Sequence, residues 1–171
     1  MFISIIAALL ASAILVPFTI GFISNLDQFL SELITVQLRS IGAPEAAIAE
    51  AIARVKNITN MILPLIPVSD VLQSVIIGSL LGLLYGYLIA SRGLRPAYAA
   101  LTTGAAYICI LNALPLAVMY FTYEDIVAVI LKYIPAYVIF GSGVAYTLLL
   151  TLFSIIKGPW TRWAEAEPSK Y

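Results

Sequence analysis

Histidine is absent from the 171-residue chain, and charged residues make up only 11% of it. Without histidine the chain lacks the commonest metal ligand, the usual haem ligand and the usual general base. Soluble domains carry roughly 25% charged residues, so this chain has too few charges to cover a surface in water. We therefore expect no cofactor and no metal site, and we expect the lipid bilayer to be the solvent.

Cysteine occurs once, and neither sign of charge is in excess. Cys109 lies in an apolar stretch and has no second cysteine with which to form a disulfide within the chain. Nine basic and nine acidic residues give a net charge of zero, and no basic run indicates binding to nucleic acid. The expected partners are the lipid bilayer and membrane proteins, either further copies of this chain or other proteins.

Long apolar runs dominate the chain, which is 62% hydrophobic with a mean hydropathy of +1.02. A membrane-spanning helix needs about 20 predominantly apolar residues. Four segments without Lys, Arg, Asp or Glu reach this length: 2–23, 71–90, 97–121 and 135–156. The first segment lacks the basic region that begins a signal peptide, so we interpret it as a retained helix.

The charges that flank these segments predict an orientation, because Lys and Arg favour cytoplasmic loops. The short loop between the second and third spans carries Arg92 and Arg95 and no acid. The tail, 157–171, also begins with basic residues, and its two tryptophans suit an interfacial anchor. The 24–70 segment has an excess of acids. We therefore expect a multi-pass protein of the cell membrane with both termini in the cytoplasm.

The segment between the first and second spans has a helical periodicity of its own. Apolar residues recur at helical spacing over 26–41, and a second amphipathic helix is expected over 44–57. Gly42 suits the position after a helix end. We predict an αα-hairpin over 26–62 that caps the outer face of the bundle. Asn57, in the triplet Asn-Ile-Thr, is a candidate glycosylation acceptor there.

Small residues recur every four positions along the second span. This row consists of Ser74, Gly78, Gly82, Gly86 and Ala90, and the first span carries a matching row, Ser4, Ala8 and Ser12. Small residues let the backbones of helices in lipid approach closely. Four residues advance a helix by about 400°, so the long row drifts around the helix and indicates two neighbours. We predict that both rows serve helix packing within the bundle or an interface between chains.

Polar side chains are concentrated on the third span. They are Thr102, Thr103, Tyr107 and Asn112, and we treat them as a candidate polar pocket or pore lining. Pro115 lacks the N–H that would bond residue 111 and is expected to kink the helix. An asparagine beside a kink lines a pocket or, as the more frequent alternative, joins two helices by a hydrogen bond.

No motif in the chain specifies a family or a catalytic centre. The predicted spans contain no acid or base of the kind that coupled carriers use. We therefore predict an all-α integral membrane protein, a four-transmembrane-helix bundle with an extracytoplasmic amphipathic αα-hairpin between spans one and two. The predicted function is that of a non-enzymatic structural or accessory subunit. The alternative is an oligomeric channel or uncoupled transport subunit with spans two and three lining the path.

Overall fold

The computed structural model describes residues 1–156, and the secondary structure of this part of the chain is helical. The helices are α1 (Phe2–Ile23), α2 (Leu26–Ser40), α3 (Glu45–Ile62), α4 (Ile66–Ala90), α5 (Pro96–Tyr107), α6 (Leu114–Thr122), α7 (Glu124–Tyr133) and α8 (Ala136–Ile155). A 3-10 turn, Leu63–Leu65, joins α3 to α4, and a π-helical segment, Ile108–Ala113, joins α5 to α6. The tail predicted to lie in the cytoplasm, 157–171, is outside the described residues.

Three helical stretches within residues 1–156 are long and apolar enough to cross a membrane: Glu45–Ala90, Pro96–Thr122 and Ala136–Ile155. A shorter apolar stretch, Phe2–Phe18 of α1, packs beside them. Many large apolar side chains on these helices are exposed, as is usual where a surface meets lipid tails. The prediction of an all-helical, multi-pass membrane protein is confirmed to this extent.

The apolar helices pack as a ring around a core of small side chains. Helix α1 contacts α4 and α8, and α5 contacts α8 and, less extensively, α4. The buried core cluster consists of Ala7, Ala8, Ala11, Tyr85, Ala99, Ala100, Tyr146 and Leu150. Because five of these eight side chains are alanine, the helix backbones lie close together there. This core occupies the half of the bundle nearest the α4–α5 loop.

The α2–α3 hairpin is attached to the rest of the chain through α7. Glu32 of α2 accepts hydrogen bonds from Lys132 Nζ, at 2.7 Å, and from the Tyr133 hydroxyl, at 2.8 Å. The rings of Phe29 and Tyr133 meet edge to face, with their centroids 5.6 Å apart. Gly42 turns the chain between α2 and α3 with a φ of +74°, a conformation that glycine adopts without strain.

The junction of α3 and α4 differs from the sequence-based prediction. The second hairpin helix was expected to end near residue 57, and the hairpin near residue 62. Instead α3 runs to Ile62 and passes through a single 3-10 turn into α4. Pro64 and Pro67 each lie in the first two positions of a helical element, where a missing N–H costs no intrahelical hydrogen bond. As a result Asp70 belongs to α4.

Candidate functional site

Helices α1 and α4 approach each other most closely at two glycines of the predicted row. A Cβ atom added to Gly78 would lie 2.8 Å from the Cα of Ile5, and one added to Gly82 would lie 2.9 Å from the Cα of Met1. Real Cβ atoms essentially never come this close to backbone atoms. Glycine is therefore what allows the two backbones to meet at this crossing.

The other members of the row lie outside this contact. No described atom is within 4 Å of the place where a Cβ of Gly86 would lie, and Ala90 is exposed. Ser74 is partly buried and faces the cavity described below. The row thus drifts away from α1 beyond Gly82, and the second neighbour predicted for its far end is not seen at Gly86.

A buried serine connects three helices beside the glycine contact. The hydroxyl of Ser4 on α1 donates to the Gly78 carbonyl of α4, at 2.7 Å, and bonds the Tyr146 hydroxyl of α8, also at 2.7 Å. Ser4 and Tyr146 are 0% and 1% exposed. In the matching α1 row, Ala8 also packs against the Gly78 position. These contacts close the interior of the bundle at this level.

A cavity of about 200 Å³ opens immediately above this closed level, among α1, α4, α5 and α8. Its lining is Ala8, Ala11, Ser12, Leu15, Asp70, Gln73, Ser74, Ile77, Tyr107, Ser142 and Tyr146. The α4 positions from Asp70 to Ile77 advance about 10 Å along the helix axis, which sets the scale of its depth. A pocket lined by five hydroxyl groups and one carboxylate thus lies inside an apolar bundle. We call it the polar cavity.

The polar cavity exists because the helices separate on this side of the bundle. Helix α4 contacts α5 but makes no comparable contact with the π-helical segment or with α6. The π-helical segment lies against α8 instead, where Asn112 Nδ2 donates to the Ile139 carbonyl. A Cβ on Gly143 of α8 would lie 2.6 Å from Ile108 Cγ1, so a glycine is needed for this approach.

The side chains that line the polar cavity keep unused hydrogen-bonding capacity. Seven serine and threonine hydroxyls of the described helices donate to the carbonyl four residues earlier, as Ser79 does to Val75. The cavity serines Ser12, Ser74 and Ser142 make no such bond with the described residues. Among residues 1–156, Asp70 likewise has no hydrogen-bond donor and no cation within bonding distance. Since unpaired polar groups are costly away from water, the cavity suits water or a polar ligand.

The polar residues predicted on the third span do not converge on this cavity. Of the four, only Tyr107 lines it. Thr102 is exposed and Thr103 is buried, and each donates to a carbonyl of its own helix. Asn112 hydrogen-bonds α8, which is the helix-joining role named above as the alternative to a pocket. The Oδ1 atom of Asn112 is buried and has no hydrogen-bond partner among the described residues.

The expected kink at Pro115 takes the form of a π-helical segment that ends two residues before it. A proline removes one backbone donor and crowds the carbonyl four residues earlier. A π-helical turn, with its i to i+5 bonds, relieves this conflict without breaking the helix, and such turns are frequent at functional sites. Here the segment carries Asn112 to α8.

Asp70 is the residue that the sequence analysis missed. The second span was counted from Val71, which left Asp70 in the preceding connection. It lies four positions before Ser74, so it continues the same row of α4. Because residues four apart share a helix face, this spacing could have predicted that Asp70 lies on the same face of α4 as Ser74.

Asn57, the candidate glycosylation acceptor, is exposed on α3. Whether it carries a glycan stays a prediction. Within residues 1–156, no three His, Cys, Asp or Glu side chains are grouped as metal ligands.

Comparison of the chain with models of protein families, with curated proteins and with solved structures finds no match.

Proposed function

We propose that the protein is a non-enzymatic structural or accessory subunit of a membrane assembly. The observation that carries this proposal is a long exposed apolar row on α3 and α4. Its members are spaced at about one helical turn, and they are Ile58, Met61, Leu65, Val68, Leu72, Ile76, Leu80, Leu83 and Tyr87. Every one of these side chains is roughly half exposed or more.

The row is longer than the hydrocarbon part of a bilayer is thick. From Ile58 to Tyr87 the helix advances about 43 Å, whereas the hydrocarbon core is about 30 Å thick. The α4 part of the row suits lipid tails. The α3 part, with Met61 77% exposed, then projects beyond them. A protein partner that covers Ile58 and Met61 removes this apolar surface from water.

The membrane arrangement that accompanies this proposal has α1 as a fourth span. Helix α1 supports it by packing along both α4 and α8. The 91–95 loop, with its two arginines, lies at the opposite end of α4 from the α2–α3 hairpin. By the excess of Lys and Arg on cytoplasmic loops, this loop and both termini are cytoplasmic and the hairpin is extracytoplasmic.

The mass of the complex extracted in a mild detergent, with identification of any co-purifying protein, tests the proposal. We expect a mass above that of one chain for the wild type. Met61→Glu places a charge on the exposed apolar row and should reduce the mass to that of one chain. Ala49→Glu, on the opposite face of α3, is the matched control and should leave the complex intact. A wild type that extracts as a single chain with nothing bound would contradict the proposal.

An oligomeric channel or uncoupled transport subunit is the second candidate, and the polar cavity favours it. Within one chain this cavity ends at the hydrogen-bonded Ser4, Gly78 and Tyr146. A continuous path would therefore need several copies of the chain. Solute or ion flux in liposomes that contain the pure protein tests this candidate, and flux no higher than in empty liposomes would count against it.

A further inference from the structure

Asp70 lies between two cavities of opposite character. On one side is the polar cavity. On the other is an apolar cavity of about 400 Å³ between α1 and the junction of α3 with α4, which we call the apolar groove. Its lining is Leu9, Ser12, Ala13, Val16, Ile20, Ile23, Leu63, Pro64, Ile66, Pro67, Asp70 and Val71. Asp70 and Ser12 line both spaces, so the two meet at these residues.

No residue within 1–156 neutralises the charge at this junction. Neither cavity is lined by a Lys or Arg of this part of the chain. Asp70 is partly buried, and it has no ion pair among the described residues. An electrostatic attraction in such surroundings is several times stronger than in water. A cationic group that enters the junction is therefore attracted to Asp70, and an anionic group is repelled.

We propose that this junction binds a single-chain amphiphile with a primary amine head group. The ammonium lies against the Asp70 carboxylate and donates to it and to the neighbouring serine hydroxyls. The hydrocarbon chain occupies the apolar groove, and the polar cavity holds the water that solvates the head group. An ammonium has three donors and no acceptor, which matches a carboxylate surrounded by hydroxyl groups.

The apolar groove argues for an amphiphile over a small soluble amine. Its volume lies within the range of about 300–1,000 Å³ that is usual for ligand sites, and its lining is aliphatic apart from Ser12 and Asp70. Val16 and Ile20 line the groove and are 47% and 62% exposed. They lie on the outer surface of α1, so a chain dissolved in the bilayer can enter the groove sideways from the lipid.

Photolabelling in nanodiscs of phosphatidylcholine tests the proposal, because this lipid carries no primary amine. The probe is dodecylamine with a diazirine near the end of its chain, and labelled peptides are mapped by mass spectrometry. We expect label within 9–23 and 63–71. Unlabelled dodecylamine should compete at least about tenfold more strongly than dodecanol, dodecanoate or ethylamine.

Two substitutions separate the roles of charge and groove. Asp70→Asn keeps the shape of the side chain and removes its charge, and it should lower labelling by about tenfold or more. Asp27→Asn, at an acid of α2 that is paired with Lys56 on the surface, is the matched control and should label like the wild type. Val16→Trp fills the groove and should also abolish labelling. Circular dichroism and the elution volume of each variant establish that it is folded.

Three results would overturn the inference. Equal competition by dodecanol would show that charge has no role, and equal competition by ethylamine would show that the groove has none. Unchanged labelling of a folded Asp70→Asn variant would place the amine elsewhere.

Discussion

The close backbone contact between α1 and Gly78 of α4 gives a sharp test of the fold. Gly78→Ala adds one methyl group that would lie 2.8 Å from the Cα of Ile5 and 3.1 Å from the Ser4 carbonyl oxygen. Both are backbone atoms of α1, so the helices must move apart to accommodate the methyl group. Gly86→Ala adds the same methyl group to the same helix where no described atom lies within 4 Å. It is therefore the matched control.

The two substitutions are expected to change stability in opposite directions. Overpacking of a tight contact costs about 1–3 kcal/mol, and replacing a helical glycine by alanine returns about 1 kcal/mol. Separation of the helices also weakens the Ser4–Gly78 hydrogen bond, and such bonds between membrane helices contribute about 0.6 kcal/mol on average. Gly78→Ala should thus lose about 0.6–2.6 kcal/mol, whereas Gly86→Ala should gain up to about 1 kcal/mol.

Thermal unfolding in detergent, followed by circular dichroism at a helical wavelength, measures this difference. For chains of this size 1 kcal/mol corresponds to about 2–4 °C in Tm. We expect Gly78→Ala to unfold several degrees below the wild type and Gly86→Ala at or above it. Equal Tm values for the two variants would refute the close contact between α1 and α4.

Three further outcomes are expected. Tyr146→Phe should lower the free energy of unfolding by about 0.5–2 kcal/mol, because it removes the buried hydrogen bond to Ser4, and chemical denaturation of the variant measures this. Gly104→Ala should be destabilising by about 1–3 kcal/mol in the same assay, because its methyl group would overlap a facing threonine of α8; a neutral effect would mean that α5 and α8 do not meet there. The stability of the contact between α2 and α7 should decrease at both low and high pH. Hydrogen bonds from Lys132 and its neighbouring tyrosine hold the pKa of Glu32 below its ordinary value, so this contribution is lost as the pH falls through the lowered pKa. The Lys132 pKa is raised by Glu32, so its contribution is lost as the pH rises through the raised pKa. The protection of α2 amides, which is the exchange rate corrected for its intrinsic pH dependence, should therefore be greatest between about pH 5 and about pH 10, and Glu32→Gln should remove the acid limb of this profile.

Helical periodicity and apolar length made most of the helices predictable. The expected helix over 26–41 is present as Leu26–Ser40, and Gly42 has the positive φ that its place after a helix end requires. The segments expected to span the membrane at 97–121 and 135–156 correspond to Pro96–Thr122 and Ala136–Ile155. These features depend on neighbouring residues in the sequence, which is why the sequence shows them.

The junctions between elements were harder to predict, because proline acts differently with position. The second hairpin helix was expected to end near residue 57, but α3 continues to Ile62, and the prolines that follow lie where a helical element begins. Pro115 was expected to kink a helix, but a π-helical segment absorbs the conflict. In both cases the sequence identifies the proline, whereas the choice among kink, break and π turn depends on the neighbouring helices.

The sequence by itself determined that the chain is helical, that its solvent is lipid and that small residues recur every four positions on α4. These properties follow from composition and from the 3.6-residue turn of the helix. Only the tertiary structure decided which neighbour each position meets. It placed Gly78 and Gly82 against α1, whereas within residues 1–156 no other helix comes close to Gly86. It also turned Asp70 toward a cavity that α1, α5 and α8 complete. A cavity is formed between residues that are distant in sequence, so a local sequence pattern does not predict its position.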